Sequence, residues 1–366
     1  MLRLIIFLVF IPLRCFASLN EMSLEEKVGQ LLMVHFNGEA VNEDARFLVQ
    51  NIKVGGIIYY NWSNGLHSPE QVKILSIGLQ QLTAFNRNPI PLLIAVDQEG
   101  GAVTRLKNGF THFPGNGDLG KTSNPLIAKD VALAIGQELQ AVGINMNLAP
   151  VVDVNPNNSV IGLRSFGDDA ETVVAFGKQA LNGYKEAQII ATLKHFPGYG
   201  SVKVDPHADL PIVYKSKEEL ERVDLLPFAK LASSADAIMT AHILVPALDP
   251  ENCSTVSEKT LNYLREVIGF QGVIVSDSLV MDGVIKKCHT VDEAAIQALN
   301  AGCDVLILGG KLLNGEHAGF ELTVSDVQRV HSSILRAVES GRISETRINQ
   351  AVERILTLKN FLTMVR

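Results

Sequence analysis

Between Lys194 and Pro211 the chain reads KHFPGYGSVKVDPHADLP, gathering Lys194, His195, Asp205, His207 and Asp209 around two glycines. The residues before it, Gln188 to Leu193 (QIIATL), have the look of a short buried strand. The stretch therefore reads as a strand end that opens into a Gly- and Pro-rich loop. Charged groups at the mouth of an apolar strand are costly to bury, so chemistry explains them better than packing does. Three other clusters share this setting: Asp97 and Arg105 in AVDQEGGAVTRL, Arg164 in GLRSFG, and Asp277 in VIVSDSLVMDG. Such a mixture suits a sugar. Carboxylates accept pairs of hydroxyl hydrogens, while Lys and Arg donate to hydroxyl and carbonyl oxygens. A carboxylate on a rigid strand end can also attack an anomeric carbon, and retaining glycoside hydrolysis pairs that nucleophile with a proton donor across the bond. Asp277 fits the nucleophile. His207 fits the acid/base, with Asp205 two residues away to fix its tautomer and stabilise the imidazolium.

Each of these residues also has a plainer reading. Asp277 suits a helix N-cap, His207 a surface loop, and Arg105 and Arg164 salt bridges to Asp97 or Glu99. Asp153 and His242, also near strand ends, fit supporting roles as well as direct contact. No HxH, HExxH or CxxC pattern points to a metal, and neither GxGxxG after the first strand nor GxxxxGK[ST] points to a nucleotide. No cofactor is expected.

The elements that must carry these groups alternate along the chain. Apolar strand candidates lie at Leu31–Phe36, Val54–Tyr60, Leu92–Val96, Asn145–Leu148, Gln188–Leu193, Ala237–Ala241, Val273–Ser276 and Val305–Leu308. Helical patterns separate them, among them Asn42–Ile52, Pro69–Phe85, Pro125–Val142, Glu171–Ala187, Lys217–Ala232, Leu261–Ile268 and Val291–Asn300, and two amphipathic stretches, Val324–Ser340 and Glu345–Met364, close the chain. Ser23 with Glu26 is a capping-box signature for a first helix. About eight β/α units whose strands are apolar on both faces predict a single-domain TIM-type (β/α)8 barrel, with the polar clusters on its catalytic face.

The chain has 366 residues, 47% hydrophobic and 19% charged, with a formal charge of −7. This acidic balance argues against a nucleic-acid partner. Arg3, the apolar run Leu4–Leu13 and Ala17 together read as a secretory signal over residues 1–17, too short to span a bilayer. Export to the periplasm or beyond is expected, without stable membrane insertion once the signal is removed; a cytoplasmic protein is the alternative. Cleavage would leave Cys253, Cys288 and Cys303, an odd number, with Cys303 read as a buried thiol and a Cys253–Cys288 bridge open to an exported protein.

These motifs resemble glycoside hydrolase family 3, in its single-domain bacterial β-N-acetylglucosaminidase (β-hexosaminidase) branch. KHFPG with DxH further along the same loop is specific to that branch, and VDQEGG, GLRSFG and the SD-containing strand end follow in the family's order from about Met22 onward. The resemblance implies a TIM-type barrel over residues 18–366. It also implies a retaining exo-β-N-acetylglucosaminidase acting on peptidoglycan fragments or related β-linked sugars through a covalent intermediate, with neither metal nor organic cofactor. Asp277 would be the nucleophile, His207 with Asp205 the acid/base dyad, and Asp97, Arg105, Arg164, Lys194 and His195 the sugar subsite. A monomer acting on a small carbohydrate is expected. Alternatives are a β-glucosidase or xylosidase, a phosphorylase, or a sugar-binding relative without catalysis; the two-domain members with glucosidase activity often carry their acid/base on a second domain, whereas this chain has the His–Asp loop. Three positions depart from the family: Tyr199 stands where His is usual, Ala102 where Arg is common, and Pro206 where Ser is usual. Pro206 restricts Asp205 and bears on the loop's freedom more than on its chemistry.

Overall fold

Strands buried on both faces pair in parallel only when helices cover the sheet, and this chain supplies the helices in alternation. The computed structural model describes residues 19–154, 160–200, 202, 210–311 and 318–362. The expected signal at 1–17 lies outside the described residues, as do Asp205, His207 and Asp209. In chain order the strands are β1 (Leu32–Val34), β2 (Gly56–Ile58), β3 (Leu93–Val96), β4 (Gln98–Gly100), β5 (Val103–Thr104), β6 (Met146–Asn147), β7 (Ile190–Phe196), β8 (Ala237–Thr240), β9 (Val273–Val275) and β10 (Leu306–Ile307). Eight of them form one parallel sheet in the order β10-β1-β2-β3-β6-β7-β8-β9. Register pairs such as Leu32 with Leu306, Met33 with Gly56 and Ile238 with Ile274 keep neighbouring side chains level. The sheet closes where β9 meets the start of β10: Val275 bridges Val305, and the Ser276 N–H donates to the Val305 carbonyl at 2.8 Å. The result is a single-domain (β/α)8 barrel whose strands all end on one rim.

The helices follow the expected pattern with local differences. Ser23 and Glu26 form the reciprocal capping box that starts the helix Leu24–Gln30. The last two helices, Val324–Glu339 and Glu345–Phe361, pack back onto it, with His331 Nε2 bonded to the Glu25 carbonyl at 3.0 Å. The helix expected over Lys217–Ala232 is instead two helices, Lys217–Arg222 and Leu226–Leu231. Pro227 explains the break, because a proline without an N–H is tolerated in a helix's first turn and not in its interior. Cys288 ends a helix, Asp282–Cys288, and Cys253, Cys288 and Cys303 are all buried free thiols with no bridge between them. Among the described residues no helix is long and apolar enough to cross a membrane.

The closing seam carries a buried charge cluster. Asp304, just before β10, has a fully buried side chain that accepts from Arg265 at 2.6 Å, Arg347 at 2.8 Å, Arg354 at 3.1 Å and the Ile274 N–H at 3.0 Å. The cluster ties the final helix to the strand that shuts the barrel. Asp304→Asn removes the charge that three guanidinium groups share, and is expected to lower folding stability by about 2–3 kcal/mol, read as a fall in the urea midpoint.

Candidate active site

Each barrel strand delivers its next residues to the C-terminal rim, where the described candidate residues collect. Asp97 follows β3 directly. The residues after it turn into a short antiparallel hairpin, β4 with β5, with a register shift between Gln98 and Gly100. The hairpin carries Glu99 inward and brings Arg105 back beside Asp97. Gln98 pins it, accepting from the Arg105 and Leu106 N–H groups at 2.9 and 3.0 Å. Ala102 lies on its exposed turn. Arg164 ends the 3-10 turn Gly162–Arg164.

Lys194 and His195 correct the expectation from sequence: they lie within β7 rather than beyond it. The pairing of β7 with β8 shifts register between Leu193 and Phe196, and such a bulge re-aims side chains. Both residues are thereby turned into the same charge network despite being adjacent. Lys194 Nζ donates to Asp97 at 2.8 Å and to Glu99 at 2.7 Å. Arg164 grips Glu99 with two bonds, of 2.9 and 2.8 Å. Arg105 stands 3.5 Å from the other oxygen of Asp97. His195 Nδ1 bonds to Asp153 at 2.7 Å, and its Nε2 faces Arg164 at 3.5 Å. A guanidinium cannot accept, so the neutral ring carries its proton on Nδ1.

Positive and negative groups thus alternate from Arg105 through Asp97, Lys194 and Glu99 to Arg164, and His195 links Arg164 to Asp153. Burial alone would raise the Glu99 carboxyl, but Arg164 and Lys194 overcome it and hold the group well below the usual carboxylate range. Asp97 is lowered in the same way: Lys194 and Arg105 outweigh burial and the repulsion of Glu99. Burial opposes the Lys194 charge, yet Asp97 and Glu99 keep the ammonium protonated above its ordinary value. The side chains of Arg105 and Arg164 remain 30% and 23% exposed, so neither is sealed from solvent.

Asp277 follows β9 and is half-buried. Its Oδ1 accepts from the Ser278 N–H at 2.7 Å, and Ser278 is fixed in turn by His242 Nε2 on its carbonyl at 2.8 Å. His242 therefore orients the Asp277 segment. Asp153, fully buried, orients His195 and also accepts from the Tyr199 N–H at 2.9 Å. Among the described residues Asp97, Arg105, Arg164, Lys194 and His195 come together. The charge of Asp277 reaches two tyrosines that the charges of this group also reach. Burial pushes the Tyr60 phenol far up, and Asp97, Arg105 and Asp277 all act on it; Tyr199 is raised likewise by burial while Arg164, Asp153 and Asp277 act on it.

Glu99 and Tyr199 were not among the site residues expected from the sequence. Glu99 stood inside the quoted VDQEGG motif, so its signal was present. Tyr199, the departure from histidine, packs edge-on against His195 with ring centroids 4.5 Å apart. The surrounding glycines are required by the backbone: Gly198 has φ +106°, and a Cβ on Gly200 would run into the Val154 carbonyl. Among the described residues no group of three or more His, Cys, Asp or Glu side chains is arranged to hold a metal ion.

Comparison with known proteins decides the family. The model described as glycosyl hydrolase family 3 N terminal domain matches residues 23–358. The chain belongs to that family. It is 34% identical over 335 residues to beta-hexosaminidase A of Pseudoalteromonas piscicida, covering 86% of this chain but 54% of that protein. It is 38% identical over 280 residues to a beta-hexosaminidase of Tolumonas auensis, covering 75% of this chain and 81% of that one. The solved glycoside hydrolase family 3 beta-N-acetylglucosaminidase from Paenibacillus sp. FPU-7 superposes with a TM-score of 0.87 at 43% identity, over 94% of this chain and 64% of that one. This family 3 chain thus spans about half of the Pseudoalteromonas relative and under two thirds of the Paenibacillus one.

Proposed function

We propose that this protein is a retaining exo-β-N-acetylglucosaminidase that removes terminal N-acetylglucosamine from peptidoglycan fragments or related β-linked sugars. The observation that carries the reading is the alternating charge network on the barrel rim, because it presents fixed donors and acceptors to a sugar's hydroxyl and acetamido groups beside a strand-end carboxylate. Asp97, Arg105, Arg164, Lys194 and His195 form the sugar subsite in this reading, with Glu99 holding Arg164 and Lys194 in place. Asp277 attacks the anomeric carbon as His207 gives a proton to the departing oxygen, which forms a glycosyl ester and frees the leaving group. The neutral His207 then takes a proton from water, which hydrolyses the ester, and Asp205 stabilises the imidazolium that exists before the first step and forms again in the second. The beta-hexosaminidase and beta-N-acetylglucosaminidase names of the relatives support the choice of sugar.

The test is hydrolysis of 4-nitrophenyl β-N-acetylglucosaminide beside the corresponding glucoside, with and without phosphate, and with the first-formed anomer read by NMR. Turnover of the acetamido sugar without phosphate, giving the β-anomer first, is the expected result. An α-anomer sinks the covalent mechanism, and a strict need for phosphate makes the protein a phosphorylase. Equal turnover of the glucoside removes the specificity claim.

A further inference from the structure

The end of the barrel opposite the rim carries a cleft of about 500 Å³. On one side it is walled by the residues that lead into β8 and β9, and on the other by the helix Glu345–Phe361. Pockets that take small molecules usually fall between about 300 and 1,000 Å³. The cleft shares no residue with the sugar site, which lies at the other mouth of the barrel.

Two opposite charges line the cleft without pairing with each other. Asp236, just before β8, accepts from the Ala191 N–H through Oδ2 at 3.1 Å, and its Oδ1 meets no donor among the described residues. Burial pushes this carboxyl above its ordinary value, with the Ala191 N–H and the Lys185 charge opposing the shift. Arg354, on the helix, donates through Nη1 to Asp304 at 3.1 Å, and its Nε and Nη2 meet no acceptor among the described residues. Its side chain stays 28% exposed. Asp304 is too heavily shared to neutralise it, because Arg265 and Arg347 bind the same carboxylate. Burial, together with the charges of Arg354 and Arg347, lowers Arg265 to about 10 against the pull of Asp304. Positive charge is therefore in surplus on the helix side of the cleft, and a half-used carboxylate stands on the strand side.

The rest of the lining is mixed. Val273 and Leu358 give it an apolar patch, while Gln271, Gln350 and Thr357 bring amide and hydroxyl groups from exposed positions. A glutamine amide donates and accepts, which matches both sides of a peptide bond. Glu353 also lines the cleft, but it is exposed and screened by water.

We infer that this cleft binds a short peptide with free ends, whose ammonium meets Asp236 and whose carboxylate meets the open edge of Arg354. Nε and Nη2 form one edge of a guanidinium, and a carboxylate engages such an edge with two parallel bonds. A lone anion would leave Asp236 unanswered, and a lone cation would leave Arg354 so. Charges on opposite walls that form no ion pair call for a ligand whose ends are set apart by at least one peptide unit. The inference does not depend on which sugar the rim takes.

The full chain is titrated calorimetrically with L-alanyl-L-alanine, with its N-acetyl derivative and with its C-terminal amide, each with and without saturating N-acetylglucosamine. The free dipeptide is expected to bind, and capping either end to weaken it roughly tenfold. N-acetylglucosamine should leave the dipeptide's affinity unchanged. Arg354→Gln, in which Asp304 keeps Arg265 and Arg347, should erase the preference for the free dipeptide over the amide and keep the preference over the N-acetyl form. Asp236→Asn, whose side-chain oxygen can still accept from Ala191, should do the reverse. Thr357→Trp, on the exposed face of the helix, should fill the cleft and abolish binding without lowering the urea midpoint. Absence of binding heat, equal affinity for the free and capped peptides, or displacement of the dipeptide by N-acetylglucosamine overturns the site. Binding that survives Thr357→Trp places the peptide elsewhere and overturns it as well.

Discussion

Asp277→Ala is expected to lower kcat/KM for an N-acetylglucosaminide by on the order of 10⁴, while the urea midpoint moves little. The side chain is half-buried at the end of β9, and its one fixed partner among the described residues besides solvent is the neighbouring Ser278 N–H at 2.7 Å. Truncation removes a single hydrogen bond near the surface, worth about 1 kcal/mol. Ser278 keeps its bonds to Gly309 and His242, so the backbone that carries residue 277 stays in place. The catalytic loss is large because the attacking oxygen itself disappears. Asp282 provides the internal control. It occupies the first turn of the helix Asp282–Cys288, where a carboxylate is favoured by the helix dipole. Asp282→Ala should therefore keep most activity. Mass spectrometry after incubation with a slow 5-fluoroglycosyl fluoride should find one sugar added to the wild-type protein and none on Asp277→Ala. Retained activity in Asp277→Ala, or an adduct on another residue, would remove Asp277 from the mechanism.

The barrel was legible in the sequence because its strands are apolar on both faces and its helices are capped, as at Ser23 with Glu26. The salt bridges of Arg105 and Arg164 were also legible, as alternatives to sugar contact: each guanidinium meets a carboxylate, and each side chain stays partly exposed. What failed to show has physical causes. Strands β4 and β5 span three and two residues, too short for any periodicity, so the hairpin that turns Glu99 inward read as plain loop. Lys194 and His195 read as loop residues because isolated charges do not belong in a strand core. Here they are tolerated because each is paired, Lys194 with two carboxylates and His195 with Asp153.

Lys194→Met tests the network as a whole. The substitution keeps the length of the side chain and deletes the ammonium that Asp97 and Glu99 share. Glu99 keeps Arg164, and Asp97 keeps the longer contact to Arg105. Two carboxylates with nearly buried oxygens are then left short of positive charge, and folding stability at pH 7 should fall by about 3 kcal/mol. The pH dependence follows from the shifts. Glu99 and Asp97 are depressed in the folded protein, so their contribution is present above the ordinary carboxylate range and is lost as pH falls through their folded values. Removing Lys194 raises both folded values, which moves the acid loss of stability to higher pH. Lys194 is raised, so its own contribution is present below the ordinary lysine range and is lost only as pH climbs through its folded value; the variant should lack that alkaline loss. Adding Asp97→Asn to Lys194→Met removes one of the stranded charges. The double variant should therefore be more stable than the sum of the two single effects, by at least about 1 kcal/mol. Strict additivity would mean that Lys194 and Asp97 contribute independently, and the alternating network could then not be the device that holds the rim's donors in register for a sugar.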